Sequence, residues 1–222
     1  MKYKLTFLLV IQVLLINAQL GNRNSLAAAM SFKIFENTDK RTKGTPYINK
    51  EFRPVKISGY KNTNLKARYN AHQDYFEVLH NGITKYLTVD SPLKITFVYS
   101  NKVYAAFNKS DKQNEKHFYV IKHNESSFKI LLKEKIILRE EIKVKTGYNS
   151  YTPAIFKKKK NIYFIKFEND KKVIEIPTKT RKFLNLFSDK SKELKKFIKK
   201  NKLKTKKEDD LIKIFKYYNT LK

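Results

Sequence analysis

YFEVLHNGITKYLTV, residues 75–89, is the stretch of sequence that decides the fold. On both sides of Asn81-Gly82, successive residues divide between two faces, with Tyr75, Glu77 and Leu79 on one face. This two-residue period is typical of a β-strand. Asn-Gly readily adopts the positive φ angles of a type I′ turn, which matches the twist of paired strands. We therefore predict a β-hairpin in which Tyr75–Leu79 pairs with Ile83–Val89.

Short aromatic and β-branched runs of similar texture continue on both sides of this hairpin, separated by turn residues. They predict further strands at Phe52–Tyr60, Leu65–Tyr69, Leu93–Tyr99, Val103–Phe107, His117–Lys122, Phe128–Leu132, Ile136–Glu141, Ile155–Lys159, Ile162–Glu168 and Val173–Ile176. The connections show no crossover helices, so the strands are expected to be antiparallel. We predict a mainly β domain over residues 51–177, an antiparallel meander that forms a barrel-like sheet or a sandwich.

Residues 178–222 are predicted to form a basic helical tail, which makes the chain α+β overall. Arg181–Phe187 suits a short helix, and Ser188 or Asp189 is the predicted cap of a second one that ends at Asn201. Leu194, Phe197 and Ile198 share one face of that second helix. A final helix is predicted from the capping box Thr205-Lys-Lys-Glu208, with its apolar side at Leu211, Ile214, Phe215 and Tyr218.

The first eighteen residues have the layout of a secretory signal peptide. Lys2 and Lys4 give a positive start, Leu5–Ile16 is apolar, and Ala18 and Gln19 flank the predicted cleavage position. The apolar run of 12 residues is too short to cross a bilayer, which needs roughly 17–25 residues. We therefore expect export to the periplasm or the medium, with no transmembrane segment in the mature chain. Residues 19–50 are expected to be a leader with a short helix at Ser25–Phe35.

The composition is strongly basic. The chain has 49 Lys and Arg against 20 Asp and Glu, a formal net charge of +29, and removal of residues 1–18 lowers it to +27. Such an excess attracts polyanions: lipopolysaccharide, acidic polysaccharide or nucleic acid. A generic solvated surface is the alternative, because Lys greatly outnumbers Arg, the usual reader of phosphates. The absence of cysteine rules out disulfides, thiolate zinc sites and a Cys nucleophile.

The tail holds the densest lysines. Residues 178–222 carry 16 basic and 5 acidic residues, a net charge of +11. Two interpretations stay open: either the apolar face packs on the β domain and the lysines are solvated, or the helix lies on an anionic membrane. The candidate polyanion contacts are Lys195, Lys196, Lys199, Lys200, Lys202, Lys204, Lys206 and Lys207.

No motif indicates catalysis, a cofactor or a metal site. His72 and Asp74 could form an acid–base or metal pair, although a polar turn explains them more simply. His117 and His123 flank one predicted strand about 20 Å apart, too far to share an ion. His80 adjoins the Asn-Gly turn. Of the paired acids, Glu140 and Glu141 would point to opposite faces of a strand, while Asp209 and Asp210 suit the first turn of a helix.

The segments 44–52 (GTPYINKEF), 65–70 (LKARYN) and 187–203 (FSDKSKELKKFIKKNKL) resemble uncharacterised exported β-rich proteins of Bacteroidetes-type bacteria. The resemblance would cover most of the mature chain. It implies an envelope location and no particular activity.

Three functions are compatible with the sequence. The first is an exported envelope protein that acts as a non-enzymatic binding or structural module. The second is a cationic polyanion-binding protein that acts through its basic tail. The third is a hydrolase whose site is assembled in space, which would require His72 or His117 to meet two further polar groups in a pocket.

Overall fold

The computed structural model describes residues 30–31, 42–61, 64–90, 93–109, 115–142 and 151–221. The predicted signal peptide and most of the predicted leader lie outside these residues. The described parts form thirteen β-strands, followed by three α-helices near the C-terminus. The predicted fold class, mainly antiparallel β with a helical C-terminal tail, is therefore confirmed.

Apart from β1, the described strands lie where the two-residue periodicity predicts them, with ends that differ by a few residues. Their bounds are β1 Met30–Ser31, β2 Arg53–Ile57, β3 Lys66–Asn70, β4 Tyr75–His80, β5 Ile83–Leu87, β6 Ile95–Phe97, β7 Lys102–Asn108, β8 Lys116–Asn124, β9 Phe128–Lys133, β10 Ile136–Arg139, β11 Ile155–Lys158, β12 Ile162–Phe167 and β13 Ile174–Glu175.

Eleven of the described strands form one sheet, in the order β1-β5-β4-β3-β2-β6-β7-β8-β9-β12-β13. All of its ladders are antiparallel. The predicted hairpin is confirmed: His80 pairs with Ile83, and Asn81 and Gly82 in the turn have φ values of 49° and 77°. Both positive angles are those of the expected type I′ turn.

The sheet curls strongly over its own apolar face. In the strand order, β4 and β8 are separated by four other strands, which would place them about 24 Å apart in a flat sheet. The rings of Phe76 in β4 and Phe118 in β8 nevertheless lie 5.0 Å apart between centroids, and Phe76 also contacts Tyr104 at 5.1 Å. The sheet is thus barrel-like, but it is not closed, because β1 and β13 remain as its edges.

Part of the predicted leader joins the two sides of the curl. The backbone of Lys43 bonds to residues 154 and 156 beside β11, and the amide of Ile48 donates to the carbonyl of Tyr69 in β3. The amide of Ile136 donates to the carbonyl of Ala71, which follows β3. These bonds tie the turn after β3 to the start of β10.

Strands β10 and β11 continue β9 and β12 as a two-stranded ribbon. Ile162 pairs with Lys133, whereas Lys158 pairs with Ile136 and the amide of Lys159 donates to the carbonyl of Lys135. Lys160 and Asn161 therefore oppose the single residue Glu134, which is the arrangement of a β-bulge. The bulge changes the register by one residue and separates the ribbon from the main sheet.

The helices are α1 Thr180–Leu184, α2 Ser191–Lys200 and α3 Glu208–Thr220, with a 3-10 helix at Asn185–Lys190 between the first two. Their apolar residues share one buried cluster with the end of the sheet. The cluster contains Phe128, Ile130, Ile165, Ile176, Phe183, Phe187, Leu194, Ile198, Leu211, Ile214, Phe215 and Tyr218. Among the described helices, none has the length and apolar character that a membrane crossing requires.

Three local predictions are wrong. Met30–Ser31, inside the predicted helix Ser25–Phe35, is a strand that pairs with β5; the rest of that segment lies outside the described residues. Helix α2 begins after Lys190 rather than at Ser188 or Asp189, and Lys190 makes no capping bond. The capping box is absent, because the Thr205 hydroxyl donates to the carbonyl of Thr178 instead. Packing of the helices on the rest of the fold, and not local side-chain caps, therefore stabilises the starts of α2 and α3.

Candidate functional site

The tail presents a dense lysine surface. All eight lysines predicted as polyanion contacts are exposed. Lys192 joins four of them in a stripe along the outward side of α2, which runs through Lys195, Lys196, Lys199 and Lys200. At a rise of 1.5 Å per residue, successive turns place these ammonium groups about 6 Å apart along the helix axis. The other four, Lys202, Lys204, Lys206 and Lys207, lie on the connection from α2 to α3.

The opposite side of α2 is used in the core. Leu194 and Ile198 are buried, and the ring of Phe197 stacks on Tyr217 of α3 at 4.0 Å between centroids. The interpretation that the apolar face packs on the β domain is confirmed. The cationic side is therefore presented outward by a helix whose apolar side already has a partner.

Counter-charges do not neutralise this surface. Within the described ranges, none of the eight lysines makes an ion pair with an acidic side chain. Two acids of the tail lie close to these lysines: Glu193 is exposed in the first turn of α2, and the Asp210 carboxylate accepts the backbone amide of Lys204. Glu208 instead binds Lys122 and accepts from the hydroxyl of Tyr163. As predicted, Asp209 and Asp210 lie in the first turn of α3.

A second polar cluster surrounds Asp74, in the turn between β3 and β4. Its carboxylate accepts hydrogen bonds from the Tyr69 hydroxyl at 2.6 Å, Lys133 Nζ at 2.7 Å and the Phe118 amide at 3.3 Å. His117 Nδ1 lies 2.6 Å from the same carboxylate. Lys133 also donates to the Tyr69 hydroxyl and to the carbonyl of Phe118. The cluster joins the β3–β4 turn to β8 and β9.

Electrostatics favour the charged form of Asp74. Burial by itself would raise its pKa, but the hydrogen bonds from His117, Lys133 and Tyr69 and the positive charge of Lys133 outweigh burial and lower it. Burial lowers the pKa of Lys133, and the neighbouring Asp74 opposes that change. The pair is thus a partly buried salt bridge whose two members also bond to other groups of the protein.

Chemically, Asp74 and His117 have the arrangement of a carboxylate that orients an imidazole. Nδ1 of His117 faces Asp74, and its Nε2 has no hydrogen-bond partner among the described residues. Such a nitrogen can act as a general base. A cavity of about 440 Å³ lies elsewhere, against the Asn81-Gly82 turn, where it is lined by Pro54, Asn64, Leu65, Lys66 and Leu79.

The other histidines do not join this cluster. His72 is exposed and places its Nδ1 3.4 Å from the carbonyl of Ile136, so it does not pair with Asp74 as one hypothesis required. Nε2 of His123 lies 2.8 Å from Glu125, which also binds Lys216 of α3. His80 pairs with Ile83 at the end of the hairpin. In the described part of the chain, no group of three or more His, Asp or Glu side chains is placed to hold a metal ion.

Two further acids are buried and paired. Glu134 accepts from Lys102 Nζ at 2.8 Å and from the hydroxyl of Tyr104. Glu77 accepts from the Tyr47 hydroxyl at 2.5 Å and from Arg68 Nε at 2.6 Å. The Glu77 pair joins β4 to β3, and the Glu134 pair joins the β9–β10 connection to β7. A buried carboxylate needs such hydrogen-bonding partners.

Sequence reasoning missed the cluster around Asp74. Its members are separated by 43 residues for His117 and by 59 for Lys133, so no local motif contains them. The only local signal was the polar turn His72–Asp74 beside a strand.

Comparison with protein-family models, curated proteins and solved structures gives no match.

Proposed function

We propose that this chain is an exported, non-enzymatic module that binds an anionic polymer through its helical tail. The observation that carries the proposal is the lysine surface of α2 and the α2–α3 connection, which is exposed and lacks acidic partners among the described residues. Closely spaced cations repel one another, so an unneutralised surface favours association with a polyanion.

Acidic polysaccharide suits this surface better than nucleic acid does. Proteins that hold single-stranded nucleic acid usually offer exposed aromatic rings on which bases stack. Among the described aromatic residues, only Tyr99 and Tyr151 are highly exposed, and neither belongs to the tail. The aromatic strand residues Tyr104, Phe118 and Tyr119 are buried. An acidic polysaccharide carries sulfate or carboxylate groups and has no bases to stack, so it can be bound through charge alone.

Heparin is a suitable probe of this function. The test variant is K195Q/K196Q/K199Q/K200Q, and the matched control is K56Q/K61Q/K66Q/K94Q, which removes four exposed lysines around β2, β3 and β6. Both variants lose the same net charge, so any difference between them reports position. We expect the test variant to bind heparin at least tenfold more weakly than the control variant does.

Two outcomes would contradict the proposal. One is equal binding by the two variants, which would mean that charge acts without regard to position. The other is wild-type elution from a heparin column well below about 0.5 M salt, because a ligand held by many contacts should resist that concentration.

A hydrolase is the second candidate, and it depends on the Asp74–His117 arrangement. The test compares His117→Gln with the wild type on an activated ester such as p-nitrophenyl acetate. A large loss of rate in the variant supports hydrolysis by the imidazole. Equal rates remove this candidate and leave the cluster as a structural one.

A further inference from the structure

The ribbon of β10 and β11 carries a second cationic face, separate from the tail. Ile136 is buried and its cross-strand partner Lys158 lies on the same side, so the alternate positions point outward. Lys135 and Lys159, which face each other just beyond the ends of β10 and β11, continue this alternation. The residues that point outward are Lys135, Ile137, Arg139, Ile155, Lys157 and Lys159. The four cations among them are exposed.

The parallel bridge between Lys43 and Ile155 adds a fifth exposed cation at this face. The outward positions from 135 to 139 and from 155 to 159 include no acid. Glu141 is the next outward residue along the strand, and its carboxylate accepts from the hydroxyl of Tyr151.

The strand register works against stability at this face. Lys135 and Lys159 are cross-strand neighbours, because the Lys159 amide donates to the Lys135 carbonyl at 2.8 Å. Directly opposed like charges destabilise a β-ladder. None of the five cations makes an ion pair within the ranges that the structure describes. An anion held across the two strands would relieve this repulsion.

We propose that the outward face of the β10–β11 ribbon is a second contact site for the same acidic polysaccharide, so that one polymer chain spans ribbon and tail. The inference depends on the proposed function for the identity of the ligand. Neighbouring cations on the outward face of the ribbon lie about 5–7 Å apart, across the strands and along them. This spacing is like that of the lysines on α2.

The two faces are linked through β12 and β13. The Ile176 amide donates to the Tyr163 carbonyl at 2.8 Å, and the Thr205 hydroxyl donates to the Thr178 carbonyl at 2.8 Å. Thr205 is flanked by two of the tail lysines, Lys204 and Lys206. The path from Lys159 along β12, across to β13 and on to Thr205 is about 30 Å long, so only a polymer of many sugar units can contact both faces.

The test variant is K135Q/R139Q/K157Q/K159Q, with K56Q/K61Q/K66Q/K94Q as the control of equal charge. Binding is measured with a heparin disaccharide, which cannot reach both faces, and with full-length heparin. We expect the ratio of wild-type to variant affinity to be about one for the disaccharide and roughly ten for the full-length polymer. The ratio rises with length because a polymer already bound at one face meets the second face at a high effective concentration.

The outcomes separate the two proposals. If the ribbon variant binds full-length heparin as the control does, the ribbon is not a contact site, whatever the tail variant shows. If the ribbon variant loses affinity and the tail variant does not, the ribbon site stands and the tail proposal fails. A ratio that stays constant with polymer length would overturn the claim that one chain spans both faces.

Discussion

At the scale of single residues, Asp74 has the largest structural role of any polar side chain in the β3–β4 turn. It has φ of 62°, an angle that Asp tolerates better than most residues, and this places its carboxylate beside β8 and β9. Four donors converge on it. The partly buried carboxylate of Asp74 thus stabilises the curl of the sheet together with aromatic packing.

Asp74→Asn is expected to lower the free energy of unfolding by about 2 kcal/mol at pH 5, because Lys133 loses its partly buried counter-charge. The folded-state pKa of Asp74 is lowered, so the stability from its charge is present above its unfolded pKa of about 3.9. That stability is lost as the pH falls through the lower folded pKa. The difference between wild type and variant should therefore shrink below about pH 4.

Urea unfolding at several pH values between about 5 and 2.5 measures this difference. Asp90→Asn, at an exposed acid, is the control and should change stability little. A difference that stays constant down to the lowest pH would show that the charge of Asp74 is not what stabilises the fold.

The sequence predicted the residues of this cluster only in part. A turn at residues 71–74 followed from its polar composition, but pairing of Asp74 with His117 depends on how far the sheet curls. Curl is set by the packing of rings from distant strands, such as Phe76 and Phe118, and no local pattern encodes it.

At the scale of elements, the segment that holds Lys43 to Ile48 acts as a connection between β11 and β3. Arg68 of β3 fixes the following residues, with its guanidinium 4.0 Å from the centre of the Tyr47 ring and 4.5 Å from that of Phe52. The same guanidinium binds the buried Glu77.

Gly44→Ala and Gly82→Ala test whether this segment is closely packed. Both glycines have positive φ, so each substitution should cost about 1 kcal/mol of unfolding free energy. A Cβ at Gly82 would meet nothing within 4 Å, whereas one at Gly44 would lie 3.0 Å from the Phe156 carbonyl oxygen. We expect Gly44→Ala to be the more destabilising by at least about 1 kcal/mol in chemical denaturation. Equal losses would mean that the segment is not packed on β11.

Helix α2 should depend on its apolar side for stability. Leu194→Ala is expected to cost about 3 kcal/mol, because Leu194 is fully buried among residues of α3 and the sheet. Leu186→Ala, at a leucine that is 41% exposed, is the matched control and should cost less than about 1 kcal/mol. Thermal and urea unfolding give both values. A loss at Leu194 no larger than that at Leu186 would contradict the packing of α2.

Periodicity predicted each strand that the structure describes between residues 51 and 177. It did not predict the bulge at Lys160-Asn161, because pairing register depends on the partner strand. Helix starts were predicted less well, because Lys190 and Lys207 stand at N-cap positions and make no side-chain capping bonds. Burial of Leu194 and Leu211 stabilises helices α2 and α3 in the absence of side-chain caps.

At the scale of the whole molecule, the net charge of +29 comes from 49 basic residues against 20 acidic ones, so most cations have no acid to pair with. Six of the described acids form ion pairs: Asp74, Glu77, Glu115, Glu125, Glu134 and Glu208. The composition predicted this excess. The composition could not predict which lysines lack an acidic partner. Their placement depends on the register of β10 with β11 and on the side of α2 that packs inward.

Export is tested by the N-terminus of the mature protein. We expect cleavage between Ala18 and Gln19 when the full chain is expressed in a bacterium with an intact secretion pathway. N-terminal sequencing or intact mass of the exported protein measures the position. Ala18→Lys should block processing, because the cleavage site requires a small residue. A full-length chain that stays in the cytoplasm would refute the prediction of export.

The most direct test of the polyanion surface is the salt dependence of heparin binding by the wild type, K195Q/K196Q/K199Q/K200Q and the control K56Q/K61Q/K66Q/K94Q. Each lysine that contacts the polymer contributes roughly 0.7–0.9 to the slope of log K against log salt concentration. We predict that the slope of the tail variant is smaller in magnitude by about three than that of the wild type, while the control differs by less than one. Equal slopes for the two variants would contradict the tail as the binding surface.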